Sequence, residues 1–344
     1  MSTPVLSVRD LTIEFDTADG VVHAVDGVTF DLFPEQTLGI VGESGSGKTV
    51  TALSILGLIP QPPGRIVSGA VLYSGLDLLR LGQAELRRVR GKDLAMVFQD
   101  PLTCMNPVLT VGCQIAEALK AHDPALGRAT ARARVAELLE LVGVPHPQAR
   151  AGQYPHQLSG GMRQRAMIAM AVANQPRVLI LDEPTTALDV TVQAQVIDAL
   201  RTAQRETGAA TILITHDLGL IAELADRVAV MYGGRVVEAG DVFQVFSDPR
   251  HPYTVGLMSS LPRLDVDVER LSPIDGQPPS LIDLPPGCAF HPRCRLSAGR
   301  AQCRQAIPML LQAAPGQFSA CHFHAEVSSL RVAIEAEIGL TGTR

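Results

Sequence analysis

The chain of 344 residues contains no tryptophan, and aromatic residues make up only 4% of it. Apolar residues amount to 46%, enough for a large core, but that core must be packed from aliphatic side chains. A basic surplus is missing as well: the formal net charge is −6, which argues against a general nucleic-acid binder. No run of 18 or more apolar residues occurs, so no membrane-spanning helix is expected. The opening stretch MSTPVLSVRD has no basic segment followed by an apolar one, so no secretory signal is expected and a cytosolic protein is anticipated. Internal repeats are absent. Cysteine is scarce, six in all, yet four of the six, Cys288, Cys294, Cys303 and Cys321, fall in one short proline-flanked segment. In a reducing compartment such a group reads as metal-binding or catalytic rather than as disulfides.

What is present alternates in period. SVRDLTIEF, AVDGVTFDL and QTLGIVG carry β-branched and apolar residues at strand spacing, with TADG as a turn. A helix is expected from the glycine-rich loop through KTVTALSILGLI, ended by PQPPG. RATARARVAELLELVGV and MRQRAMIAMAVANQP have helical spacing, the second closed by Asn174 to Pro176. RVLILDEP is a continuous apolar run, as a buried parallel strand requires. TVQAQVIDALRTAQRETG reads as a helix closed by Gly208, ATILITH as a strand and LGLIAELAD as a helix. This alternation indicates an α/β core around a parallel sheet. Prolines become frequent after residue 247 or so (DPRHPY, LPRL, LSP, QPPS, LPPG). A boundary is therefore placed near residue 250, giving a main domain over 1–250, an extension over 251–330 and a poorly tethered tail over 331–344.

Three motifs carry chemistry. GESGSGKT, Gly42 to Thr49, fits G-x-x-x-x-G-K-[ST] and sits between an apolar strand and a helix. In that setting Gly42, Ser44, Gly45, Ser46 and Gly47 turn backbone N–H groups toward phosphates at a helix N-terminus, Lys48 reaches the β- and γ-phosphates, and the Thr49 hydroxyl ligates Mg²⁺. VLILDE ends in Asp182, placed to hold Mg²⁺ through water, and Glu183, placed to orient or deprotonate an attacking water. Helix capping is the plainer reading of two acids at a strand end, and the two roles can coexist. LSGGM puts Ser159, Gly160 and Gly161 ahead of an arginine-rich helix, which is either an ordinary N-cap or a second anion site. One nucleotide does not need two such sites from one domain, so a second anion site implies a second subunit.

GESGSGKT, Gln99 in MVFQD, LSGGMRQR, VLILDEPTTALD and ITHD follow one another in order. The chain thereby strongly resembles the nucleotide-binding subunits of ATP-binding cassette (ABC) transporters. The resemblance implies a P-loop NTPase fold: a RecA-like α/β core, an antiparallel β subdomain and a helical signature subdomain over about residues 100–170. It implies that Gln99 contacts Mg²⁺ and the lytic water and couples the site to membrane subunits. It likewise implies that His216 contacts the γ-phosphate, that Asp189 lies at a dimer interface and that Ser159, Gly160 and Gly161 serve the ATP of a partner subunit. Phe15 is the candidate for stacking on adenine, with a core-packed strand residue as the plainer reading.

HPYTVGLMSSLPRL, IDGQPPSL, LPPGCAFHPRC and FQDPLTCMNPVLTVG are similar to the dipeptide and oligopeptide importer branch. That likeness implies a peripheral, bacterial ATPase on the cytoplasmic face of the inner membrane. It would work with two transmembrane permeases, a second ATPase subunit and an extracytoplasmic substrate-binding protein, and without nucleic acid. A nickel chelate or glutathione could replace the peptide. A soluble, non-transport cassette ATPase is the less favoured rival, since no coiled-coil insertion and no second cassette is present. A redox or nucleic-acid module with an accessory ATPase is opposed by the acidic balance. The cysteines are spaced C-x₅-C-x₈-C-x₁₇-C. Four thiolates suit iron–sulfur or zinc, and zinc favours close cysteine pairs, which are missing here. The importer resemblance implies one 4Fe-4S cluster on Cys288, Cys294, Cys303 and Cys321, with Zn²⁺ or unligated thiols as alternatives. His291, His322 and His324 read as loop residues. Cys104 is given no role, and Cys113 reads as a small apolar residue.

Overall fold

The computed structural model describes residues 3–186, 188–260 and 274–337. The LPRL and LSP stretches and the last seven residues of the expected tail lie outside them. The chain starts with a hairpin of β1 (Leu6–Thr17) and β2 (Gly20–Leu32), then β3 (Thr37–Val41), helix α1 (Lys48–Ile55), β4 (Gly64–Tyr73), β5 (Leu76–Asp77), α2 (Gln83–Val89) and β6 (Leu94–Val97). A helical block follows: α3 (Pro101–Cys104), α4 (Val111–His122), α5 (Arg128–Leu141), α6 (Pro147–Ala151) and α7 (Gly160–Ala171). The core resumes with β7 (Val178–Asp182), α8 (Val190–Thr207), β8 (Ala210–Ile214), α9 (Leu218–Leu224), β9 (Arg227–Tyr232), β10 (Arg235–Asp241) and α10 (Val242–Ser247). The extension contributes α11 (Pro252–Ser259), α12 (Ala301–Gln305), β11 (Leu311–Ala314), β12 (Gln317–Ser319) and α13 (Val327–Glu337).

Two sheets result. One is antiparallel, in the order β2-β1-β4-β5; the other runs β11-β12-β10-β9-β3-β8-β7-β6. Strands β3, β7, β8 and β6 are buried along their whole length, as expected of parallel strands covered on both faces. Alternate residues separate two cores. Leu179 and Leu181 face the helical block with Val135, Leu138 and Met167, whereas Val178 and Ile180 face the antiparallel sheet with Leu11, Ile13 and Val71. Helix starts are set by side-chain caps: Thr110 for α4, Asp189 for α8 and Asp217 for α9.

Helix α1 ends at Ile55, short of the prolines expected to stop it. Gly57 adopts φ 61° and Leu58 N–H turns back to the Leu53 carbonyl at 2.8 Å, an αL closure that acts before proline can. Gly208, at φ 61°, closes α8 where the sequence places the stop. The C-terminal region is also more tightly held than a loose tail. Val327 is fully buried and Ile334 is 5% exposed, packed with Val255 and Leu330, so helix α13 continues to Glu337 on an i, i+3, i+7 apolar stripe.

The extension is fastened to the main domain by a buried carboxylate. Glu238 on β10 is fully buried. Its Oε1 accepts from Arg250 N–H at 2.6 Å and from Gln317 Nε2 at 2.8 Å, and its Oε2 accepts from His251 N–H at 3.0 Å. Burial pushes this carboxyl from 4.5 up to about 7, against N–H donors that favour the anion. The folded protein therefore holds the Glu238 proton more tightly than the unfolded chain, and the associated stability is present below about pH 4.5 and lost as pH rises through about 7. His251, buried and lowered from 6.5 to about 3, acts with the opposite sign. The Glu238 contribution is isolated by comparison with Glu238→Gln. Wild-type unfolding free energy minus that of the variant should fall by up to about 3 kcal/mol between pH 4.5 and 7 in chemical denaturation. A difference that stays flat over that range refutes the assignment.

Candidate functional site

The loop Gly42–Thr49 joins β3 to α1. At Gly42 (φ 154°) an added Cβ would lie 2.2 Å from the Met231 carbonyl oxygen, and at Gly47 (φ 99°) 2.3 Å from that of Ala24. Only glycine fits these two turns. Gly47 occupies the N-cap of α1 without a side-chain cap, which leaves the first N–H groups of the helix for an anion. Lys48 is 6% exposed, and its Nζ donates to the carbonyls of Gly42 at 2.8 Å and Glu43 at 3.0 Å. Burial lowers its pKa, while Glu183, Asp182 and Glu43 pull it back up.

The other polar groups arrive from neighbouring strands. Because β3, β8, β7 and β6 lie side by side and parallel, residues just past their carboxyl ends gather at one edge, the usual place for ligands in such sheets. Asp182 ends β7, is 3% exposed, and accepts from Thr49 Oγ1 at 3.1 Å. Burial raises its pKa, and the Thr49 hydrogen bond opposes the rise. Glu183 follows at φ 46°. Its Oε2 accepts from Gln99 Nε2 and from Thr186 Oγ1, each at 2.9 Å, and its Oε1 lies 3.4 Å from His216 Nδ1. Five residues expected from separate motifs, Lys48, Thr49, Asp182, Glu183 and Gln99, thus share one site with His216. Thr186 was not anticipated, though it stands in the same DEPTT run.

The remaining candidates lie elsewhere. Ser159 is exposed and caps α7 by accepting from Met162 N–H at 3.3 Å. Gly160 is exposed as well, whereas Gly161 is buried, with room for a Cβ taken by Val192 Cγ1 at 2.3 Å. Asp189 is exposed and caps α8 through Val192 N–H at 3.0 Å. Beside it Val190 is 84% exposed. Phe15 is half-buried on β1, packed on the core between the two sheets with its ring edge facing Gly64. Cys113, read as a small apolar residue, is instead exposed on the first turn of α4, where the buried face is taken by Val111, Gln114 and Ile115. Cys104 is exposed too.

Cys288, Cys294, Cys303 and Cys321 all line one small cavity, together with His251, Phe290, Leu296 and Phe323. Burial pushes the Cys294 thiol up to about 11 and that of Cys321 up to about 12. Among the described residues no group of three or more His, Cys, Asp or Glu side chains is arranged to hold a metal ion. The four thiols share this one cavity. Two features escaped the sequence: Arg293, between these cysteines, is paired with Glu43 of the phosphate-type loop, and the segment after Gln99 exposes Leu102 and Val108, 58% and 75%.

The family model for ABC transporters matches residues 25–186, and that for the oligopeptide/dipeptide transporter C-terminal region matches 237–303. The dipeptide transport ATP-binding protein DppD of Bacillus subtilis is 53% identical over 84% of this chain and 86% of its own length. The oligopeptide transport ATP-binding protein OppD of Mycobacterium bovis is 50% identical over 93% of this chain, which spans about half (52%) of that longer protein. Among solved structures, the ATP-binding cassette MJ0796, a dimer bound to ADP and Pi, aligns with a TM-score of 0.62 at 25% identity, over 69% of this chain and 98% of that one. The chain belongs to the ATP-hydrolysing subunits of the ABC transporter family, in the branch that bears an oligopeptide/dipeptide transporter C-terminal region.

Proposed function

We propose that this chain powers the import of di- or oligopeptides, as one half of an ATP-sandwich dimer docked on membrane subunits. The observation that carries the reading is the convergence of Lys48, Thr49, Asp182, Glu183, Gln99 and His216 at one sheet edge, in a chain with an importer-type C-terminal region. The peptide cargo is supported by the names of the B. subtilis and M. bovis relatives. Among the described residues no helix is long and apolar enough to cross a membrane. Work at the cytoplasmic face would therefore depend on docking to two permeases that receive peptide from an extracytoplasmic binding protein. Exposed Leu102 and Val108, just after Gln99, offer an apolar surface next to the site for that contact.

The phosphates of ATP would take N–H groups of the loop leading into α1, with Ser46 N–H giving up its bond to the Glu43 carbonyl at 3.2 Å. Lys48 would give up its two carbonyl partners for the β- and γ-phosphates. Thr49 and the buried Asp182, with oxygens 3.1 Å apart, are the residues that would hold Mg²⁺, which would supply positive charge to offset that of the phosphates. Glu183, fixed on one oxygen by Gln99 and Thr186, would use the other to take a proton from the attacking water. His216, with a 65% exposed side chain beside that oxygen, would face the γ-phosphate. Phe15 would flank the adenine. The exposed Ser159–Gly160 turn at the start of α7 and the exposed Asp189–Val190 pair would meet the partner cassette, so each nucleotide would be closed by two chains, here together with a second, different ATPase subunit.

The four cysteines fit the 4Fe-4S reading in type and in facing a common cavity. Zn²⁺ is the less favoured alternative, since no two of these cysteines are two to four residues apart. The group would act as a staple for a proline-rich segment with little core.

Glu183→Gln should bind ATP and lose hydrolysis by orders of magnitude, since it removes a group acting in the transition state. Nucleotide retention and phosphate release of the assembled complex measure this, and wild-type turnover by the variant rules Glu183 out as base. The purified chain alone should hydrolyse ATP slowly and gain activity with its permeases and second ATPase. Full activity in a strictly monomeric sample contradicts the shared site. Protein purified without oxygen should be coloured and contain iron and sulfide; a colourless protein with stoichiometric zinc and no sulfide overturns the cluster.

A further inference from the structure

The loop that would hold the phosphates is clamped on its outer side by the extension. Glu43 is its second residue. The Glu43 carboxylate receives a two-point ion pair from Arg293, Nη1 to Oε2 at 2.6 Å and Nη2 to Oε1 at 2.9 Å. The backbone N–H of Glu43 donates to Tyr253 Oη at 2.8 Å, and its carbonyl accepts from Lys48 Nζ at 3.0 Å. Two of these three holds come from residues beyond position 250. Arg293 is itself fully engaged. Its side chain is 6% exposed, its Nε donates to the Asp275 carbonyl at 3.0 Å, and its Nη1 also donates to Tyr232 Oη at 3.3 Å.

The position of Arg293 follows from the cysteine segment. It ends the single turn His291–Arg293, directly before Cys294. Cys288 N–H donates to the Cys303 carbonyl at 2.8 Å, and His291 N–H to the Cys288 carbonyl at 2.9 Å. Phe290, in the same turn, packs on Tyr232 and Tyr253 with ring centroids 5.2 and 5.4 Å away. The two tyrosines that touch the ion pair are thus the ones that seat the cysteine turn.

We propose that Arg293 is a positioning residue for the phosphate-binding loop, and that through the Arg293–Glu43 pair the integrity of the four-cysteine segment sets the affinity for ATP. The proposal rests on the assignment of Gly42–Thr49 as the ATP loop. Losing Arg293 acts twice: the loop is released, and an unpaired, half-buried carboxylate is left next to the place where the triphosphate must sit, where like charges repel. The effect falls on binding of nucleotide more than on turnover of bound nucleotide, because the pair contains no group that meets the reacting atoms.

The experiment titrates the full-length chain with a fluorescent ATP analogue, and in parallel determines KM and kcat of the assembled transporter. Arg293→Gln should weaken nucleotide binding about tenfold, with KM changing more than kcat. Arg293→Lys keeps the buried charge and the packing of the turn but makes only a one-point contact, so an intermediate loss is expected. Cys303→Ser should weaken binding as Arg293→Gln does, and the double variant should lose no more than either alone. Lys48→Ala separates the two levels of the argument. Wild-type affinity in folded Arg293→Lys and Arg293→Gln, with affinity lost in Lys48→Ala, overturns the clamp and keeps the ATP loop. Unchanged affinity in Lys48→Ala overturns the loop assignment itself. Additive losses in Cys303→Ser/Arg293→Gln overturn the link to the cysteine segment.

Discussion

The site depends on one backbone hydrogen bond, from Glu183 N–H to the Ile214 carbonyl at 2.8 Å. It carries the pairing of β7 with β8 one residue past the end of the strand, while the chain has already turned into the left-handed region at φ 46°. That conformation costs a glutamate about 1–2 kcal/mol. The hydrogen bond to β8, with the contacts of Gln99 and Thr186 to the side chain, offsets this cost. It also explains how two consecutive acids can differ so much in role. Asp182 still belongs to the strand, is buried and accepts from Thr49, and Glu183 turns out toward His216. Strain of this kind persists where the surroundings over-determine it.

Most of this was legible because each motif is a contiguous stretch whose local structure is also its chemistry. GESGSGKT must be strand, turn and helix, and VLILDE must end a buried strand. The parallel order of β3, β8, β7 and β6 then brings the ends together without further information. Contacts between distant stretches were not legible. Arg293 and Glu43 are 250 positions apart, and nothing near Arg293 distinguishes it from Arg295 or Arg300. Helix α13 was missed because its stripe of Val327, Leu330 and Ile334 is narrow and follows a segment dominated by proline and cysteine. Cys113 was misjudged because its average burial preference gave way to its place on the solvent side of α4. Gly57 was passed over because the prolines behind it were the stronger stop signal.

The composition boundary near residue 250 is not a structural seam. Glu238 lies before it, while the groups that satisfy its carboxylate, Arg250, His251 and Gln317, lie at or beyond it. Tyr253 and Arg293 cross back again to the phosphate-type loop. Extension and cassette thus share a buried polar network at one end and an ion pair at the other. Each group left alone in either would be costly.

Strand β12 meets β10 through Glu238–Ser319 and Ala239–Phe318, and Ala320 N–H bonds to the Val237 carbonyl at 2.8 Å. Without it, β10 would form the open border of a mostly apolar sheet, a template on which a second chain could add a strand. The extension replaces that border with β11, only four residues long and largely exposed. A strand so short gives an incoming chain little to pair with. The C-terminal region therefore protects the cassette against edge-to-edge aggregation. A chain shortened near residue 250 would lose this cover at the same time as it lost the donor from Gln317 to Glu238.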